Sequence, residues 1–83
     1  MYRIKLTAQA KRELKVIKKM YRVPIDTAFD ELADNPYLGK PLSRELAGKF
    51  TYKIGVYRII YRINEKNQTV LIVTAGHRAN IYS

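Results

Sequence analysis

The chain contains no cysteine. Disulfide staples, cysteine-ligated zinc fingers and thiol nucleophiles are excluded together. It has a single histidine, His77, which excludes a metal site built from several imidazoles. Acidic residues are few, seven against sixteen lysines and arginines. No apolar run approaches the roughly 18 residues of a membrane helix. The opening Met1-Tyr2-Arg3-Ile4-Lys5-Leu6 carries charge with no long apolar stretch behind it, unlike a secretory signal. The expectation is a cytoplasmic protein with no metal site.

What remains is a small folding unit with strong positive charge. Its 83 residues fit one domain, residues 1–83, around one thin core, because a chain this size buries only about 60% of the surface its unfolded form exposes. That leaves no room for a deep cofactor cavity, and no cofactor is expected. A hydrophobic fraction of 47% separates the sequence from disordered tails. The net charge of +9 and pI near 10.0 point to a polyanionic partner. RNA, DNA, the ribosome, an anionic membrane or an acidic protein would each fit, and charge alone does not rank them. Seven tyrosines add rings able to stack on bases, although most suit half-buried strand positions.

The patterning gives the elements. Tyr2, Ile4 and Leu6 alternate with Arg3 and Lys5, as in a half-buried strand. Thr7 is a helix N-cap, and Ala10, Leu14, Ile17 and Tyr21 continue at helical spacing. Pro24 suits the first turn of a second helix, whose stripe is Ile25, Ala28, Phe29, Leu32 and Ala33 and which Asn35-Pro36 ends. Lys11, Lys15 and Lys19 recur along the first helix, and Asp26, Asp30 and Asp34 along the second. Residues 36–49, with Gly39, Pro41 and Gly48, read as a long loop. Phe50 to Ile54 and Tyr57 to Ile63 alternate around a tight Gly55-Val56 connection, and Val70-Leu71-Ile72-Val73 is apolar on both faces, as in a central strand. The fold class is α+β: a small, curved, mainly antiparallel sheet, one N-terminal strand plus three C-terminal strands, with an N-terminal helical hairpin packed on one face.

Strand parity isolates a cationic group. If Tyr52, Ile54, Tyr57, Ile59, Tyr61 and Ile63 pack under the helices, Lys53, Arg58 and Arg62 emerge on the other face. His77 and Arg78 leave the end of the next strand and reach the same surface. Such a cluster makes a phosphate site; an uncovered sheet face with solvated arginines accounts for the same pattern equally well.

In their order and spacing several segments resemble the RelE/ParE toxin superfamily of toxin–antitoxin systems, and within it the RelE-type messenger-RNA interferases. They are Tyr2 to Leu14, Leu32-Ala33-Asp34-Asn35-Pro36, Leu46-Ala47-Gly48-Lys49-Phe50, Tyr52-Lys53-Ile54-Gly55-Val56-Tyr57-Arg58-Ile59-Ile60-Tyr61, Gly76-His77-Arg78 and Ile81-Tyr82. The resemblance implies a RelE-like fold and a ribosome-dependent, metal-independent endoribonuclease that cuts mRNA in the A site by attack of a ribose 2′-hydroxyl. Catalytic roles carry over to Lys53 near that hydroxyl, Arg58 at the phosphorane, Arg78 near the leaving 5′-oxygen and Tyr82 orienting the RNA. Lys11, Lys15, Lys18, Arg62 and His77 are the expected RNA and ribosome contacts. The implied partners are a cognate antitoxin, the ribosome and mRNA, with no membrane partner; the toxin alone is expected to be monomeric, and oligomeric with its antitoxin. Two rivals on the same fold are a ParE-like toxin that binds DNA gyrase without nuclease activity and an inactive antitoxin-binding relative. Some RelE toxins carry a second lysine where this chain has Gly55, and others use a Glu and His pair; here Glu45 precedes the strand, and His77 reads more readily as a strand-end residue than as an acid.

Overall fold

A computed structural model describes residues 1–77. Five strands form one sheet in the order β1-β5-β4-β3-β2. They are β1 (Arg3–Leu6), β2 (Lys40–Pro41), β3 (Phe50–Ile54), β4 (Tyr57–Asn64) and β5 (Thr69–His77). Only β1 and β5 run parallel; the other pairs are antiparallel. The apolar run in β5 is therefore an interior strand, as its two-sided hydrophobicity required. β2 lies within the segment expected to be a loop. Two residues long, with Pro41 at the sheet edge, it has no alternation to read, and proline is tolerated there because no ladder donor is needed.

The helices are α1 (Ala8–Lys15) and α2 (Arg22–Asp34). Thr7 caps α1, its hydroxyl accepting from the Ala10 N–H at 3.0 Å. The apolar spacing suggested a helix to Tyr21, but α1 stops at Lys15, Lys18 is extended (φ −54, ψ 140), and a 3-10 turn covers Lys19–Tyr21. Lys19 therefore does not continue the lysine row of α1. The break delivers Tyr21 to the tip of the β3–β4 hairpin, where its ring meets Tyr57 edge-on, centroids 4.7 Å apart. Pro24 lies in the first turn of α2, and Asn35 ends it. No helix among the described residues is long and apolar enough to cross a membrane.

One sheet face packs on both helices. Ala10, Ile17, Ile25, Ala28 and Leu32 meet Ile54, Ile59, Tyr61, Val70, Ile72 and Ala75 in a single buried cluster. Tyr52, Tyr57 and Ile63 pack half-buried against it. The parity expected for β3 and β4 holds, which fixes the outward face of both strands.

α1 also covers the edge of β5 where β1 ends. β1 pairs only as far as Leu6↔Ile72. Beyond it the register with β4 passes from Tyr61↔Ile72 to Ile60↔Thr74, so β5 carries one extra residue, Val73, in a bulge. The Thr7 hydroxyl donates to the Val73 carbonyl at 2.7 Å. The Glu13 carboxylate accepts from the Thr74 hydroxyl at 2.7 Å and the Ala75 N–H at 3.0 Å. Backbone groups that the bulge releases from the ladder thus find partners on the helix.

Candidate functional site

The outward face of the hairpin carries the cations. Lys53 on β3 stands directly opposite Arg58 on β4. Lys53 is exposed and Arg58 half-buried. Like charges opposite each other on a ladder destabilise it, so the pairing is a cost that an anion would relieve. Arg58 is in turn opposite Gly76 of β5, where a side chain would enter open space. A groove beside the pair is lined by Leu38, Gly39, Lys40, Thr51, Tyr52, Lys53 and Arg58.

The other expected contacts lie elsewhere. Arg62 is on the same face and exposed, but it is opposite Leu71, which is opposite Lys5. These three share a separate depression with Asn64, Glu65 and Asn67. Lys11 and Lys15 rim a third groove between the helices, with Arg22 and Asp26, over an apolar floor of Leu6, Leu14, Ile25 and Phe29. Lys18 is exposed in the connection between the helices. Arg78 and Tyr82 lie outside the described residues.

His77 departs from its expected position. It registers with Tyr57, and their rings meet with centroids 6.1 Å apart. Residues opposite each other on a ladder share a face, so His77 stands on the helix side with Tyr57, not with Lys53 and Arg58. The bulge at Val73 is the reason: one inserted residue sends every later side chain of β5 to the other face. Simple alternation from Val70 gives the wrong side.

Gly55 is required by its turn. It has φ +61, in the left-handed region, and a Cβ there would come within 2.8 Å of a Tyr21 ring carbon. A lysine at this place would collide with the helical hairpin. Glu45 is exposed in the 3-10 turn Arg44–Leu46 and does not line the groove. Among the described residues no group of three or more His, Asp or Glu is gathered as a metal site would need. Lys40 falls in a segment whose pattern reads as loop, and only its pairing with β3 brings it into the groove.

Two tyrosines facing the helices titrate away from their ordinary values. Burial pushes the Tyr52 hydroxyl up, helped by its 3.1 Å hydrogen bond to Glu31 and the charge of that carboxylate. Burial likewise raises Tyr61. Both remain protonated donors near neutral pH.

Residues 4–82 match the family model described as ParE toxin of type II toxin–antitoxin system, parDE. Toxin RelG of Mycobacterium tuberculosis is 41% identical over 83 residues, covering 98% of this chain and 95% of that protein. Toxin RelE of the same organism is 32% identical, covering 98% of this chain and 86% of that protein. The crystal structure of the toxin–antitoxin complex RelBE2, also from Mycobacterium tuberculosis, superimposes with a TM-score of 0.83 at 38% identity, over 93% of this chain and 98% of the matched one.

Proposed function

This chain belongs to the RelE/ParE superfamily of toxins from toxin–antitoxin systems, and from that membership we propose that it is a ribosome-dependent endoribonuclease that cuts mRNA in the A site. The observation that carries the reading is the cross-strand pair Lys53 and Arg58 facing one groove beside Gly76. A scissile phosphate there meets two cations on fixed strands. Cleavage without a metal requires that a ribose 2′-hydroxyl lose its proton and attack the adjacent phosphorus, forming a 2′,3′-cyclic phosphate. The bond to the 5′-oxygen breaks, and that oxygen takes up a proton. In this scheme Lys53 lies beside the attacking 2′-hydroxyl and offsets the charge on its oxygen as the proton passes to solvent, and Arg58 stabilises the charge gathering on the phosphorane oxygens. By resemblance Arg78 meets the leaving 5′-oxygen and Tyr82 stacks on and orients the RNA.

The partner is a cognate antitoxin. RelBE2 of Mycobacterium tuberculosis is a toxin–antitoxin complex, and the apolar-floored, basic-rimmed groove between α1 and α2 suits an acidic, amphipathic segment.

Primer extension on a translated mRNA after brief induction tests the reading. Cuts should fall within codons, leaving a 5′-hydroxyl and a 2′,3′-cyclic or 3′-phosphate. They should vanish when the 2′-hydroxyl at the cut is replaced by hydrogen. Intact mRNA with DNA gyrase trapped on DNA would favour the ParE-like alternative, to which the matched family model gives weight; intact mRNA with no growth arrest would favour an inactive relative.

A further inference from the structure

We propose that Lys40 is a substrate-binding residue that holds the phosphate next to the one engaged by Lys53 and Arg58. The proposal rests on the nuclease reading and adds to it the path of the RNA strand.

Lys40 registers with Thr51 on β3, two residues before Lys53. Lys40 and Lys53 are therefore diagonal neighbours on one sheet face, a relation that spans roughly 7–8 Å. That is about the step between successive phosphates of a nucleic-acid strand. With Arg58 opposite Lys53, three cations cross three adjacent strands and line one groove.

The grooves differ in how this charge is met. Arg62 and Lys5 share theirs with Glu65, and Lys11, Lys15 and Arg22 share theirs with Asp26. None of the described residues lining the Lys40 groove is acidic. Two lysines and an arginine are gathered there with no carboxylate among the described lining residues, a lining suited to the phosphates of a nucleic-acid backbone.

The root of Lys40 is also fixed. The Gly39 N–H donates to the Tyr61 hydroxyl at 3.0 Å, and that hydroxyl donates to the Pro36 carbonyl at 2.6 Å. Tyr61 is fully buried. A Cβ at Gly39 would lie 2.3 Å from the Tyr61 oxygen and 2.7 Å from the Thr51 carbonyl. The backbone therefore enters β2 through a clamp that admits only glycine. Beneath the lysines, Thr51 is buried at 5% exposure, and its hydroxyl has no hydrogen-bond partner among the described residues. A lysine on an edge strand also guards against edge-to-edge pairing, so the test must separate that service from substrate binding.

The test compares wild type, Lys40→Ala and Lys40→Arg on ribosomes programmed with mRNA, with thermal melting as a check on folding. Lys40→Ala should raise KM about tenfold with kcat nearly unchanged, the effect of one lost phosphate contact. The log–log salt slope should shrink by about 0.7, and Lys40→Arg should restore both. In a second arm, methylphosphonates replace the phosphates flanking the cut one at a time. One neutral linkage should slow wild type and leave Lys40→Ala unaffected. Wild-type kinetics in Lys40→Ala, or a neutral linkage that slows both proteins equally at every position, overturns the proposal. So does an equal loss of affinity for ribosomes without mRNA, which would make Lys40 a ribosomal RNA contact. If wild type itself leaves mRNA uncut, the nuclease reading fails and this proposal with it, an outcome distinct from a silent Lys40→Ala beside an active wild type.

Discussion

Arg58 shows how a single side chain is placed by its neighbours. Its strand position sets its face, with Lys53 opposite it on β3 and Gly76 opposite it on β5. Arg58→Ala is expected to lower cleavage about 10²–10³-fold, the scale of losing one preorganised charge stabiliser, with melting little changed; single-turnover cleavage measures it. Glu13 does structural work of a different kind. Burial alone would raise its carboxyl, but hydrogen bonds from the Thr74 hydroxyl, the Ala75 N–H and the Gln9 amide, with the Arg12 charge, carry it below its ordinary value of 4.5. The folded state therefore favours the ionised form. Its stabilisation is complete above the ordinary value and is lost as pH falls through the depressed one. Glu13→Gln should be less stable than wild type at neutral pH, and the gap should close at strongly acid pH, as read from denaturant midpoints.

At the scale of elements, the edge strand and the first helix carry the testable consequences. β2 hangs on the Tyr61 hydroxyl, which serves both Gly39 and Pro36. Tyr61→Phe keeps the ring stacked on Phe50, whose centroid is 5.5 Å away, but strands a buried N–H and a buried carbonyl. A loss of about 1–3 kcal/mol in unfolding free energy is expected, with hydrogen exchange rising first around Gly39. α1 presents Lys11 and Lys15 at the rim of the interhelical groove, and exposed Lys18 follows in the connection. Changing all three to glutamate should leave far-ultraviolet circular dichroism intact, because none is buried. Ribosome affinity should fall sharply if these cations meet RNA, and sedimentation with ribosomes decides it.

At the scale of the molecule, charge and packing act separately. The main core lies between the helices and one sheet face, while Lys40, Lys53, Arg58 and Arg62 stand on the other face and Lys11, Lys15 and Lys18 on the helix side carry more of the +9 charge. Ribosome binding should weaken steeply with salt, with a log–log slope near −0.7 to −0.9 for each phosphate neutralised. A slope near zero in a salt titration would separate binding from this surface. Co-expression with an acidic antitoxin should suppress growth arrest and give a complex larger than the toxin alone in size-exclusion chromatography.

Local periodicity was enough to determine the helical hairpin, the β3–β4 pair and the outward facing of Lys53 and Arg58, because those features depend on alternation and on residues close in the chain. It also marked β5 as a central strand, and in the sheet it lies between β1 and β4. The terminus of α1 was misjudged because Ile17 and Tyr21 keep helical spacing across a break; Tyr21 then packs beside Gly55 and Tyr57, contacts made by residues far along the chain. The parallel partner of β5, the edge strand that carries Lys40 and the bulge at Val73 were decided only by tertiary structure. A two-residue strand has no pattern of its own, and a bulge exists only as a mismatch between two strands. It leaves no mark on the alternation of either, yet it moves His77 from the cationic face to the ring of Tyr57.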